Sequence, residues 1–259
     1  MTYDSLSLRH ELFIAAATLG AHANTSEGFR QRDVKFLIDL FGNWVELALQ
    51  RSPASFQNTQ VLRYLDSLVA EGYARKIMKK THPYYRLTRT GLLELLSRMV
   101  EKPQLSRGSH FFFLYYFVHN YGPRIEELVR TEGRQFPYAL KVEVERLLNA
   151  ADLLGRELKY ARQELAKIEN RIDYARKSSA LTVSLLEKGM PFAQVVKEAE
   201  RKYPYDLNSQ KPLSELIGGL PEPAQRWELE TGNLRRVVHM WAPEKMLLES
   251  YIHALESLR

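Results

Sequence analysis

Arg63 and Asn58 are the residues of this chain best suited to reading a base pair. Arginine can bond the guanine edge bidentately, and asparagine pairs in the same manner with adenine. Both stand in the run NTQVLRYLDSLVA, where Gln57, Asn58, Thr59, Gln60, Arg63, Tyr64 and Ser67 are expected to share one polar helix face. Soon after come Lys76, Lys79, Lys80 and Arg86, whose charges suit phosphate oxygens rather than bases, with Arg75 and His82 as further DNA-binding candidates.

Two elements must position these groups. Val61, Leu65 and Leu68 form an apolar stripe with Leu62 and Val69 beside them, which buries the other face of the helix. Gly72 is placed to end that helix, because a left-handed residue is cheap there. A strand is expected from Tyr73 to Met78, a turn at Thr81-His82-Pro83, and a returning strand from Tyr84 to Thr88. Between Arg51 and Gly91 there are eight basic residues and two acidic ones, so this segment carries the whole chain's net charge of +6. A polyanion-binding surface needs its cations gathered in this manner. A solvated hairpin with lysines guarding an edge strand would explain the lysines but not the polar helix face.

The helix with spaced leucines, then EGYARK, a short basic turn and YRLTRTG, resembles the winged-helix repressors of the MarR and PadR type over about Phe29 to Val100. The LT-x-x-G ending recurs across several winged-helix families. The resemblance implies duplex DNA as partner, with the helix in the major groove and the hairpin, or wing, beside the backbone. The chain is far longer than a typical member of either family.

Composition sets further bounds. At 259 residues, with 45% hydrophobic and 26% charged residues, the chain is an ordinary globular protein with room for two domains. It has no cysteine, which excludes disulfides, thiolate metal sites and cysteine nucleophiles, and suits a reducing cytoplasm. MTYDSLSLRHELF lacks the basic-then-apolar pattern of a signal peptide. The longest apolar run, Phe111 to Val118, is far shorter than the roughly 20 residues a bilayer requires. The expected location is therefore the cytoplasm, in a bacterium the cytoplasm or nucleoid, with no membrane partner.

Catalytic patterns are missing. The seven histidines form no H-E-x-x-H or H-x-x-x-H pattern, and there is no phosphate-binding glycine loop or G-x-S-x-G elbow. Glu126-Glu127 and the pair Glu143 and Glu145 read as solvated helical charges. No catalytic residue, metal or cofactor is expected, and the chain is not read as an enzyme. The aromatic group Phe111, Phe112, Phe113, Tyr115, Tyr116 and Phe117, with Tyr121 and Trp241, reads as core, an effector pocket being the other use of such a lining.

The expected fold is mainly α with a small β-hairpin: a winged helix-turn-helix domain over residues 1–102, then an all-helical domain over 103–259. Helices are expected from Leu6 to Leu19, across Phe29 to Leu49, and from Leu92 to Val100, with Ser55 or Asn58 capping the polar helix. From Val144 to Leu186 apolar positions recur at alternating steps of three and four over about six heptads. A helix over about 138–188 follows, with Leu154, Leu158, Ala161, Leu165, Ile168, Ile172 and Ala175 along its seam. It is read as an antiparallel homodimeric coiled coil, in which Arg162 faces the second copy's Glu169 and Glu164 its Arg171. Packing along other helices of the same domain is the alternative. Phe192 to Lys202, Arg226 to Met240 and Ala242 to Leu258 are expected as further helices.

Together these features point to a dimeric, sequence-specific DNA-binding transcriptional regulator. The alternative is a winged-helix architectural or assembly subunit of a chromosome, plasmid or replication complex, acting through protein docking.

Overall fold

A computed structural model describes residues 8–50, 56–101, 108–132, 136–203, 215 and 217–259. Among the described residues the chain is mainly helical, with one two-stranded antiparallel hairpin. Its contacts divide it into two compact units, Met1–Glu157 and Leu158–Arg259.

In the first unit, α1 (Leu8–Ala23) is buried from Leu12 to Leu19 and apolar there except for Thr18, whose hydroxyl donates to the Ile14 carbonyl. A helix with no polar face has to be surrounded, and α2 (Gln31–Leu49), α4 (Arg89–Glu101) and α5 (Ser109–Glu132) pack against it. The aromatic run on α5 supplies much of this core. Phe111, Phe112, Phe113 and Phe117 are buried, and Phe113 meets Phe13 and Phe41 edge-on with ring centroids 4.4 and 5.4 Å apart. Tyr121 joins Phe41 and Phe117.

This packing corrects the expected domain boundary after residue 102. Residues 102–107 lie outside the described residues, but α5 belongs with α1 and α2, and α6 (Tyr138–Leu148) packs on α4 and α5. The proline and lysine that suggested an ending precede the helix that completes the core.

Between α2 and α4 lie α3 (Asn58–Ala70), β1 (Ala74–Lys79) and β2 (His82–Leu87). Gly72, at φ +77°, ends α3 as expected: its N–H bonds the Val69 carbonyl, and the Tyr73 N–H reaches back to Leu68. The hairpin turn is tighter than expected. Lys79 pairs with His82, leaving only Lys80-Thr81 between the strands, with Lys80 left-handed at φ +57°. His82 and Pro83 are therefore strand residues. Phe29 adds a bridge to Tyr85, with N–O distances of 2.9 and 2.7 Å in the two directions.

The expected helix over 138–188 is interrupted at Asn149, whose backbone is extended and whose side-chain oxygen accepts from the Asp152 N–H. Seven-residue periodicity continues through the break, so periodicity alone could not reveal it. Beyond it α7 runs from Ala150 to Glu187.

In the second unit α7 packs antiparallel on a helix of its own chain. A short helix α9 (Glu222–Trp227) follows α8 (Phe192–Lys202), then a π-turn at Glu228–Gly232, then α10 (Asn233–Glu256), which continues through Pro243 where two separate helices were expected. Ile168 and Ile172 pack with Leu248, and Leu165, Val237, Val238 and Trp241 close around them. Arg162 pairs with Glu256 at 2.6 Å, Glu169 with Lys245 at 2.9 Å, and Arg171 lies 4.5 Å from the Trp241 ring. The seam residues Leu165, Ile168 and Ile172 pack with α10 of the same chain, in antiparallel sense, which is the packing within one domain expected as the alternative. Trp241 belongs to this contact and not to the α5 aromatic group.

Candidate nucleic-acid interface

The LT-x-x-G ending explains how α3, the hairpin and α4 are locked together. The Thr88 hydroxyl oxygen accepts the Gly91 N–H at 3.0 Å, capping the first turn of α4. The same hydroxyl reaches the carbonyls of Gly72 and Tyr73 at 3.0 and 3.1 Å. A Cβ on Gly91 would stand 1.8 Å from the Tyr73 carbonyl oxygen, so this approach requires glycine. Gly28 has a similar role at the other side of the hairpin. It is left-handed at φ +105°, and a Cβ there would meet the Tyr85 carbonyl oxygen at 3.0 Å.

On α3 the buried side is Val61, Tyr64, Leu65 and Leu68. Tyr64 is thus corrected from the expected polar face to the core, where its ring is fully buried. It falls on the boundary between the faces, and its ring area decides the matter. Gln57, Asn58, Thr59 and Arg63 are exposed, while Gln60 and Ser67 are half-buried. Some polar capacity serves the helix itself. Gln57, not Ser55 or Asn58, is the N-cap, and its N–H donates to the Gln60 side-chain oxygen at 2.8 Å. Ser67 donates to the Tyr64 carbonyl, and the Asn58 carbonyl accepts from Gln31. The side chains of Asn58, Thr59 and Arg63 are exposed and make no hydrogen bond or ion pair among the described residues.

The hairpin cations fall into two sets. Lys76 bonds Asp66 of α3 at 2.9 Å, and this carboxylate raises the lysine's pKa; Asp66 also accepts from the buried Tyr85 hydroxyl. Lys79 bonds Glu27 at 2.9 Å, which holds the Glu27 carboxyl below its usual range. Lys79 also lies 5.0 Å from the Tyr84 ring, on which Arg30 stacks at 4.6 Å. By contrast Arg63, Arg75, Lys80 and Arg86 are exposed, and none has an ion-pair partner among the described residues. Arg75 and Arg86 are direct cross-strand neighbours. Like charges in that position disfavour the hairpin.

Asp66, Glu27 and Arg30 were not expected at this site. Asp66 lies within α3, but Glu27 is 52 residues from Lys79 while Glu71 is much nearer in sequence, so charge counting alone does not show which cation each acid takes. No group of three or more potential metal ligands occurs among the described residues, and none of their helices is long and apolar enough to cross a membrane. No family model, curated protein or solved structure matches the chain.

Proposed function

We propose that the chain is a sequence-specific DNA-binding transcriptional regulator of winged-helix type, with α3 entering the major groove and the hairpin as its wing. The observation that carries this reading is the Arg75–Arg86 pair, exposed, opposed across the strands and without an acidic partner among the described residues. Such an arrangement disfavours the isolated fold and is relieved by a polyanion. Arg63 and Asn58 contact base edges, with Thr59 beside them; Arg75, Lys80 and Arg86 contact phosphates, and Lys76 and Lys79 do so in competition with Asp66 and Glu27. Capping and burial leave Gln57, Gln60, Ser67 and Tyr64 with positioning roles, and His82 extends the phosphate-facing edge. α10 packs on Leu165, Ile168 and Ile172 of the α7 seam, so this reading does not rest on pairing between chains there.

The test is selection of bound fragments from genomic DNA by the full chain. Enrichment of a short recurring sequence, lost in Arg63→Ala, is expected. Recovery without enrichment would leave only non-specific binding.

One observation favours the docking-subunit reading. Phe36 and Leu47 on α2 are 63% and 83% exposed, and two large apolar side chains on one helix suit a protein partner. Under that reading no duplex is bound even at low salt.

A further inference from the structure

We infer that Met78 is an apolar wedge that enters the minor groove of a bound duplex and partly unstacks one base step, bending the DNA. The inference rests on the DNA-binding reading and adds to it a mode of contact and a deformation.

The strand register places Ala74 with Leu87, Lys76 with Tyr85 and Met78 with Pro83 on one face of the hairpin. Ala74, Leu87 and Tyr85 are buried, and Lys76 and Tyr85 both reach Asp66 of α3. This is therefore the face turned toward α3. Met78 and Pro83 continue this face beyond the Lys76–Tyr85 pair, and Met78 is 61% exposed. At about 3.3 Å per residue, Met78 stands roughly 7 Å beyond Lys76 along the strand. That is comparable to the minor-groove width of about 6 Å. A lysine anchored beside α3 and a methionine one rung farther out thus match a phosphate ridge followed by the adjoining groove.

Single exposed apolar residues are common and need no explanation. The surroundings of this one are what matter. The segment from Ala74 to Leu87 contains five lysines and arginines and no acidic residue, and the acids that reach it, Asp66 and Glu27, are outnumbered. That charge commits the occupant to a polyanion, and the location beside the base-reading face of α3 commits it to duplex DNA. Methionine is unbranched and polarisable, which suits insertion between base planes, and proteins that unstack a step in this manner use Met, Leu, Ile, Phe or Pro. Pro83 opposite has a fixed φ and no N–H to donate, which stiffens the strand behind the wedge. Ile77 and Tyr84 occupy the other face together with Arg75 and Arg86, and Arg30 and Lys79 lie over the Tyr84 ring.

The experiment uses the full chain and an end-labelled duplex of about 30 base pairs with 2-aminopurine at a central TA step, a step that kinks easily. Energy transfer between the ends reports bending, and 2-aminopurine fluorescence reports unstacking. Wild type is expected to bend the duplex by an angle within about 20–90° and to raise the fluorescence several-fold. Met78→Ala should bind a straight duplex with no fluorescence rise, and Met78→Leu should keep both signals. Arg63→Ala should bind more weakly but still bend at saturation. Wild-type binding without bending, or equal bending by Met78→Ala, would overturn the wedge and leave the DNA reading standing. No duplex binding at low salt would overturn both, as would binding only to vesicles containing phosphatidylserine.

Discussion

The α7–α10 pair and the α3–hairpin surface use their charges in opposite ways. Along α7 many of the charges find partners within the chain: Arg162 with Glu256, Glu169 with Lys245, Glu164 with Lys167 and Asp173 with Lys177. Around the hairpin Arg63, Arg75, Lys80 and Arg86 have no such partner among the described residues, and two of them repel each other. The first arrangement serves the fold. On the proposed DNA-binding reading, the second is completed by an outside anion. Charge without a partner is therefore a better guide to an interface than charge density, since exposed pairs add little to stability in either place.

Gly91→Ala gives the largest expected effect and asks whether the α3–hairpin surface is one rigid body. Its Cβ would collide with the Tyr73 carbonyl oxygen, and backbone cannot yield as a side-chain tip can. A loss of about 3 kcal/mol or more in chemical denaturation is expected, together with loss of DNA binding. Stability within about 0.5 kcal/mol of wild type would disprove the close approach.

Leu165→Glu with Ile168→Glu tests the other half of the comparison. Ile168 is buried against α10, so an uncompensated charge there should cost the second unit about 3–5 kcal/mol. Denaturation should show the second unit unfolding earlier while the α3–hairpin surface keeps its affinity for DNA. A stably folded monomer from a dimeric wild type would instead restore the two-chain coiled coil.

Arg63→Ala should cost about 1–3 kcal/mol on the selected sequence and much less on random duplex, because a base contact carries discrimination. Equal losses on both would move Arg63 to the backbone. The smallest effect is expected from Glu27→Gln, which releases Lys79 and should strengthen binding to any duplex by about two- to fivefold at neutral pH. The Lys79 ammonium, chiefly through its hydrogen bond, lowers the Glu27 pKa, so the pair is intact at neutral pH and is lost as pH falls through that lowered value. The variant's advantage should shrink on acidification. An advantage independent of pH would mean that Glu27 does not hold Lys79.

Local order was legible in the sequence and partnership was not. The apolar stripe of α3, the Gly72 stop and the paired strands follow from side-chain period and backbone freedom, which act within a few residues. Tyr64 shows the limit of such reasoning, since a ring at the edge of a polar face turns inward when the core has room for it. The seam of α7 shows another. Its heptads and charges specify an antiparallel apolar partner with basic and acidic flanks, and α10, about 70 residues on, meets that specification as well as a second copy would. The aromatic helix α5 went to the wrong domain because a proline and a lysine before it looked like an ending, whereas packing joins it to α1.

The central claim is that Arg75, Lys80, Arg86 and Arg63 are left unpaired for phosphates and bases, and a salt titration of duplex binding tests it most directly. With four to six contacts, log affinity should fall linearly with log salt at a slope of about −4 to −5, and Arg75→Ala with Arg86→Ala should flatten it by about two units on every sequence while leaving the fold as stable as before or slightly more so. No binding at low salt, or a slope unchanged in the double variant, would contradict it.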